Sequence, residues 1–213
     1  MKTDDLVTML ATGGVAVEPN AAARRYLTAL IWGTGGAAIL MAVLLGVRPD
    51  LERAVWLPMF WVKLAFVAVL ALISGLVTWH LGRPGSRLAW LPGMLVVPIL
   101  AMWVLAAFVL ASANSAERAE LLFGSTSASC PFLIAMLSVP VFIAVIWAMQ
   151  DLAPTRLRLA GAAAGLVSGS LGALVYAIHC PELAAPFLGL WYLLGVLIPA
   201  GVGALLGPRL LRW

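Results

Sequence analysis

The stretch LPMFWVKLAFVAVLALISGLVTWH, Leu57 to His80, decides the fold. It holds one clearly ionisable side chain within the apolar run, Lys63. At about 1.5 Å per residue it is long enough to cross about 30 Å of hydrocarbon as a helix. Five further stretches meet the same test: Tyr26–Gly46, Leu88–Ala111, Pro131–Met149, Ala160–Ile178 and Pro186–Gly207. Composition agrees, since 63% of the 213 residues are hydrophobic and 10% are charged. A soluble domain is about half apolar and about a quarter charged. The sequence therefore predicts an all-α, polytopic membrane bundle of six helices over 26–213, preceded by a tail over 1–25. The first apolar run starts late, is of full span length and has no small-residue cleavage site after it, so it reads as a span and not as a secretory leader.

Arginines set the orientation. With a cytoplasmic N-terminus, the inner segments carry Lys2, Arg24, Arg25, Arg83, Arg87, Arg156, Arg158, Arg209 and Arg212. The outer segments carry Arg48, Arg53 and Arg118 together with Asp50, Glu52, Glu117, Glu120 and Glu182. The positive-inside rule then places both termini in the cytoplasm. The net charge of +4 reads as loop arginines, not as a surface for direct nucleic-acid binding.

In that orientation Cys130 and Cys180 both fall on the outer side, each followed by proline. Proline suits the first turn of a helix, where its missing N–H would be unpaired anyway. An oxidising compartment lets two exposed thiols bridge, provided their Cα atoms come within about 7 Å. A bridge closing a loop this long adds roughly 4 kcal/mol in the chain-entropy treatment. Two readings stay open: a structural staple, or a reactive or metal-capturing pair. His179 and Glu182 flank Cys180 and extend the second reading to a transient divalent heavy-metal ion on Cys130, Cys180, His179 and Glu182. No cofactor is otherwise implied.

Three other features carry information. Gly161, Gly165 and Gly169 recur at every fourth residue of the fifth span, so one helix face has no side-chain bulk. That face is a packing seam, inside the bundle or between copies in a homo-oligomer, and the glycine-rich sixth span is a natural partner. Lys63 lies near the outer end of the second span, where it can snorkel outward or pair with an acid such as Glu52, or serve a function. In the tail, Asp4 and Asp5 precede Leu6, Met9 and Leu10 at helical spacing. This short amphipathic helix can dock in a partner's groove, lie on lipid or rest against the bundle. Nucleotide-binding loops, HExxH and CxxC motifs are absent, which leaves an enzymatic account little to stand on.

Several stretches together resemble the NrsF family of negative regulators of sigma F. They are MKTDDLVTMLA at the start, the Arg24-Arg25 entry, FWVKLAF, GRPG, SCPF and, most specifically, HCPELAAPFLGLWYLLG. The resemblance implies a six-span, non-enzymatic anti-sigma factor of the bacterial inner membrane. Such a protein holds an extracytoplasmic-function sigma factor and releases it under heavy-metal or oxidative stress, with Cys130 and Cys180 at the positions of the sensing thiols. The His and CxxC ligands of zinc-containing anti-sigma factors are missing, so sigma contact is expected from the tail, at Leu6, Met9 and Leu10, and from the short inner loops. Two alternatives remain: a membrane thiol-disulfide redox enzyme, and a small metal or solute carrier using Lys63 and His80.

Overall fold

Residues 3–12, 20–83 and 90–212 are described by the computed structural model, and no strand occurs among them. Six long apolar helices are present, as the apolar runs require. The tail forms α1 (Thr3–Thr12), and the first span is α2 (Ala21–Leu44). A short α3 (Leu51–Ala54) leads into the second span, α4 (Pro58–Leu81). The third span opens with a tight 3-10 turn over Leu91–Leu95 and continues as α5 (Val96–Ser112). Its expected start, Leu88, lies outside the described residues.

After α6 (Ser115–Phe123) come the fourth and fifth spans, α7 (Cys130–Gln150) and α8 (Leu157–Tyr176). The sixth span runs Ala185–Leu210. It comprises α9 (Ala185–Phe187), a π-turn over Leu188–Tyr192, and α10 (Leu193–Leu210).

The first span begins at Ala21, ahead of the expected Tyr26. The reason is local. Arg24 and Arg25 are helical, and Arg25 has partners at the end of the bundle: it pairs with Asp151 and lies 4.4 Å over the Trp147 ring. Its charge is neutralised there, so the helix need not wait for the first apolar residue.

Helix α8 is the central span and packs against α10, α4 and α7, while α2 lies on α7 and α5 sits at the margin. The expected glycine seam is where α8 meets α10. Gly161 abuts the backbone of Gly203 and Gly207, Gly165 that of Pro199 and Ala200, and Gly169 that of Val196. A methyl group added at Gly169 would lie 2.7 Å from the Val196 carbonyl oxygen. Side-chain bulk is absent here because main chain fills the space. Two other glycines of the sixth span serve different neighbours: Gly195 faces Ile134 of α7 and Gly189 faces Trp103 of α5.

The two ends of the bundle differ. One gathers the connections 45–57, 113–129 and 177–184 and carries both cysteines; it is called the thiol end below. At the other, Gln150 donates to the Leu210 carbonyl at 2.9 Å and Leu152 packs on Gly82.

Candidate functional site: an enclosed thiol pair

Cys130 is the first residue of α7, with Ser129 before it and Pro131 in the first turn. Its amide donates to the Thr126 carbonyl at 2.9 Å, so the preceding turn is anchored to it. Cys180 ends a turn at the foot of α8, where its amide donates to the Tyr176 carbonyl at 3.0 Å. Residues 181–184 are then non-helical, and the sixth span starts at Ala185 with Pro186 in its first turn. Pro181 therefore does not open a helix, unlike Pro131. The proline that does is Pro186.

The structure brings the two thiols close enough to interact, both free and both 0% exposed. This corrects the expectation of exposed thiols: the pair is sealed inside the protein, not presented at its surface. Tyr176 and Tyr192 pack around it with ring centroids 5.8 Å apart. The Tyr192 hydroxyl is buried near Cys180 and makes no hydrogen bond. A π-turn carries this tyrosine, and such turns recur at functional sites.

Lys63 completes the enclosure. It is 0% exposed, and its Nζ donates to the carbonyls of Cys180 at 2.9 Å and Glu182 at 3.1 Å, 5.0 Å from the Tyr192 ring centroid. The lysine neither snorkels outward nor pairs with Glu52. Residues 180–182 lie outside any helix, so their carbonyls are open to an intruding donor, and that offsets part of the cost of burying it.

Arg48 makes a second clamp on the same loop. Its Nη1 donates to the Cys180 carbonyl at 3.2 Å and its amide to the Ile178 carbonyl at 3.3 Å, while its fork grips Asp50 at 2.7 and 2.6 Å. That grip holds the Asp50 carboxyl below the usual carboxylate range and raises Arg48 further. At Cys180 the neighbouring Cys130 thiol lowers the pKa against the opposing push of burial, and Lys63 and Tyr192 act in the same direction as Cys130.

The four-ligand metal site is not assembled. His179 Nδ1 lies 2.9 Å from the Gly46 carbonyl oxygen, and Glu182 Oε1 accepts from the Ser125 amide and hydroxyl, each at 2.8 Å. Both side chains are engaged away from the sulfur atoms. Among the described residues no group of three His, Cys, Asp or Glu is placed to hold a metal ion. The donor set does not fit a divalent cation that needs four ligands.

The carrier reading fares no better. Lys63 and His80 belong to opposite ends of α4, about 25 Å apart at the helical rise. In the tail, α1 is a helix with Met9 exposed, and the side chains of Leu6 and Leu10 lie outside the described residues. Arg48, Tyr176 and Tyr192 escaped the sequence reading. A signal was there: two tyrosines bracket Cys180, and a buried tyrosine needs somewhere to put its hydroxyl.

Comparison with known proteins bears on this arrangement. The profile of the family described as negative regulator of sigma F, NrsF, matches residues 10–213. The chain belongs to the NrsF family. It is 59% identical to the probable anti-sigma-F factor NrsF of Azospira oryzae over 213 residues, the whole of both chains. It is 41% identical to the anti-sigma-F factor NrsF of Caulobacter vibrioides over 218 aligned positions, again the full length of both. No solved structure matches the chain. The thiol enclosure just described is therefore a feature of an NrsF family member.

Proposed function

We propose that this protein is an inner-membrane anti-sigma factor that holds an extracytoplasmic-function sigma factor and lets it go when the Cys130–Cys180 pair is oxidised. Membership of the NrsF family supports the sigma partner, since relatives matching over their full length are named anti-sigma-F factors. The arginine distribution supports a periplasmic thiol end and cytoplasmic termini. One observation carries the sensing role: two free thiols close enough to interact, with a disulfide one oxidation away. Burial also favours a sensor over a redox enzyme. Disulfide exchange with a protein partner needs an accessible sulfur atom, and neither thiol offers one. Heavy-metal stress would have two sulfur atoms and no third ligand to act on, so oxidation is the better-supported trigger.

Sigma contact falls to α1 and the inner loops. The test is a pull-down from membranes with the intact chain as bait. A sigma factor should be retained at rest and lost after peroxide treatment. Cys130→Ser and Cys180→Ser should each retain it under both conditions. Leu6→Asp with Leu10→Asp should weaken retention without removing the protein from the membrane, since each buried leucine contributes roughly 1.5–3 kcal/mol. Release that is unchanged in both cysteine variants would end the sensing role.

A further inference from the structure

Lys63 has no carboxylate partner: among the described residues its Nζ meets two main-chain carbonyls and the face of Tyr192. Carbonyls satisfy its N–H groups but do not neutralise it, and an uncompensated buried charge is costly. The other buried cation at this end, Arg48, is already matched by Asp50. The Glu182 carboxylate is taken up by Ser125, and of the acidic groups left the two thiols ionise more readily than the Tyr176 and Tyr192 hydroxyls.

They are not equivalent. Cys180 belongs to the irregular loop whose carbonyls hold the Lys63 ammonium, its own among them, whereas Cys130 opens α7 and makes no hydrogen bond to the lysine. The Tyr192 hydroxyl is buried without a hydrogen-bond partner, a donor left over inside the same enclosure. The Cys130 thiol and the Tyr192 hydroxyl both favour ionisation at Cys180. A pocket with a buried cation and an unspent donor is shaped for an anionic sulfur.

We propose that Lys63 is the charge partner of a Cys180 thiolate and makes Cys180, not Cys130, the sulfur that attacks an oxidant. This rests on the sensor reading above and names its chemistry. With a hydroperoxide as oxidant, the Cys180 thiolate attacks the distal oxygen, forming an S–O bond as the O–O bond breaks. That gives a sulfenic acid, and the departing alkoxide or hydroxide takes up a proton. The Cys130 sulfur then attacks the sulfenic sulfur, forming the S–S bond. The Cys130 proton and the displaced hydroxide leave as water. Overall two thiols and one hydroperoxide yield one disulfide, one water and one alcohol, or a second water from hydrogen peroxide. Closure converts the anion into a neutral disulfide. Lys63 then loses its counter-charge, and the Cys180–Glu182 loop loses the reason to hold the lysine in place. A small neutral peroxide also suits thiols that bulky reagents cannot reach.

The test uses the full chain, purified in detergent and fully reduced, with disulfide formation by hydrogen peroxide followed by mass spectrometry. At about pH 7, Lys63→Met should be slower than the parent by about tenfold, and at about pH 10 the gap should nearly close because hydroxide then supplies the thiolate. Lys63→Arg should keep most of the rate at about pH 7. Should Lys63→Met fail to fold, Tyr192→Phe should show a smaller deficit with the same pH dependence. Sulfenic-acid trapping should modify Cys180 in the Cys130→Ser protein about tenfold faster than Cys130 in the Cys180→Ser protein. A Lys63→Met rate equal to the parent's, a deficit of the same size at every pH, or faster trapping at Cys130 overturns the assignment. These results stand apart from the sensor reading. A Lys63-dependent profile without sigma release supports the assignment and sinks the sensor, while cysteine-dependent release with a flat profile does the reverse.

Discussion

The glycine seam between α8 and α10 and the thiol enclosure lie in the same two spans and are held by opposite means. In the seam, affinity between helices comes from what is missing: without Cβ atoms the main chains touch. In the enclosure, polar groups are folded inward and held by one another, with a lysine on two carbonyls and an arginine shared between an aspartate and one of those same carbonyls. The seam is indifferent to oxidation and nearly so to pH. The enclosure holds the oxidisable and titratable groups, and it sits where the fifth and sixth spans join. On the sensing proposal, a rigid seam leading away from that corner is suited to transmit a change at the thiols along α10, because packed interfaces shift between discrete arrangements.

The seam is where substitution should do most damage. Gly165→Leu drives a side chain into the Pro199 carbonyl and the Ala200 backbone. Overpacking typically costs about 1–3 kcal/mol, and here no flexible side chain can yield, so little folded protein should accumulate in membranes. A normal thermal midpoint in detergent would show that the two helices are not fixed against each other. Next in size, Cys130→Ser and Cys180→Ser should leave the protein abundant and repressing at rest but unresponsive to peroxide. Lower abundance and higher basal sigma activity would instead mark the pair as a structural staple.

A smaller effect is expected from pH. Asp50 is depressed by Arg48, so its contribution is complete above the ordinary carboxylate range, near about pH 4, and is lost as pH falls through its lower folded value. Asp50→Asn should flatten the acid limb of the thermal midpoint while changing little at neutral pH. Smallest of all is Gly201→Ala, on the same helix as the seam, where nothing lies within 4 Å of the added methyl. It should be neutral or stabilising by up to about 1 kcal/mol, and a loss like that of Gly165→Leu would mean that glycine content, not contact, matters in α10.

The sequence already showed the seam and the spans because both are local patterns: a run of apolar residues and a repeat of every fourth glycine. It also put Cys130 and Cys180 at the same end, since alternating spans force that. Enclosure was out of reach. Whether Lys63 turns to water or to the 180–182 loop depends on carbonyls 117 residues or more away in the chain. His179 and Glu182 looked like ligands because they neighbour Cys180 in sequence, yet the tight turn sends one to Gly46 and the other to Ser125. Adjacency along an irregular segment says little about where side chains converge.

On the sensing proposal, closing the Cys130–Cys180 bond releases the sigma factor. The most direct measurement takes cells through a graded peroxide challenge, quantifying by mass spectrometry the fraction of protein carrying that bond and, in the same samples, the fraction of sigma factor still bound at the membrane. The two fractions should change together, bond for release, and recover together on reduction. Release with both thiols free, or a fully bridged protein still holding its sigma factor, would contradict it.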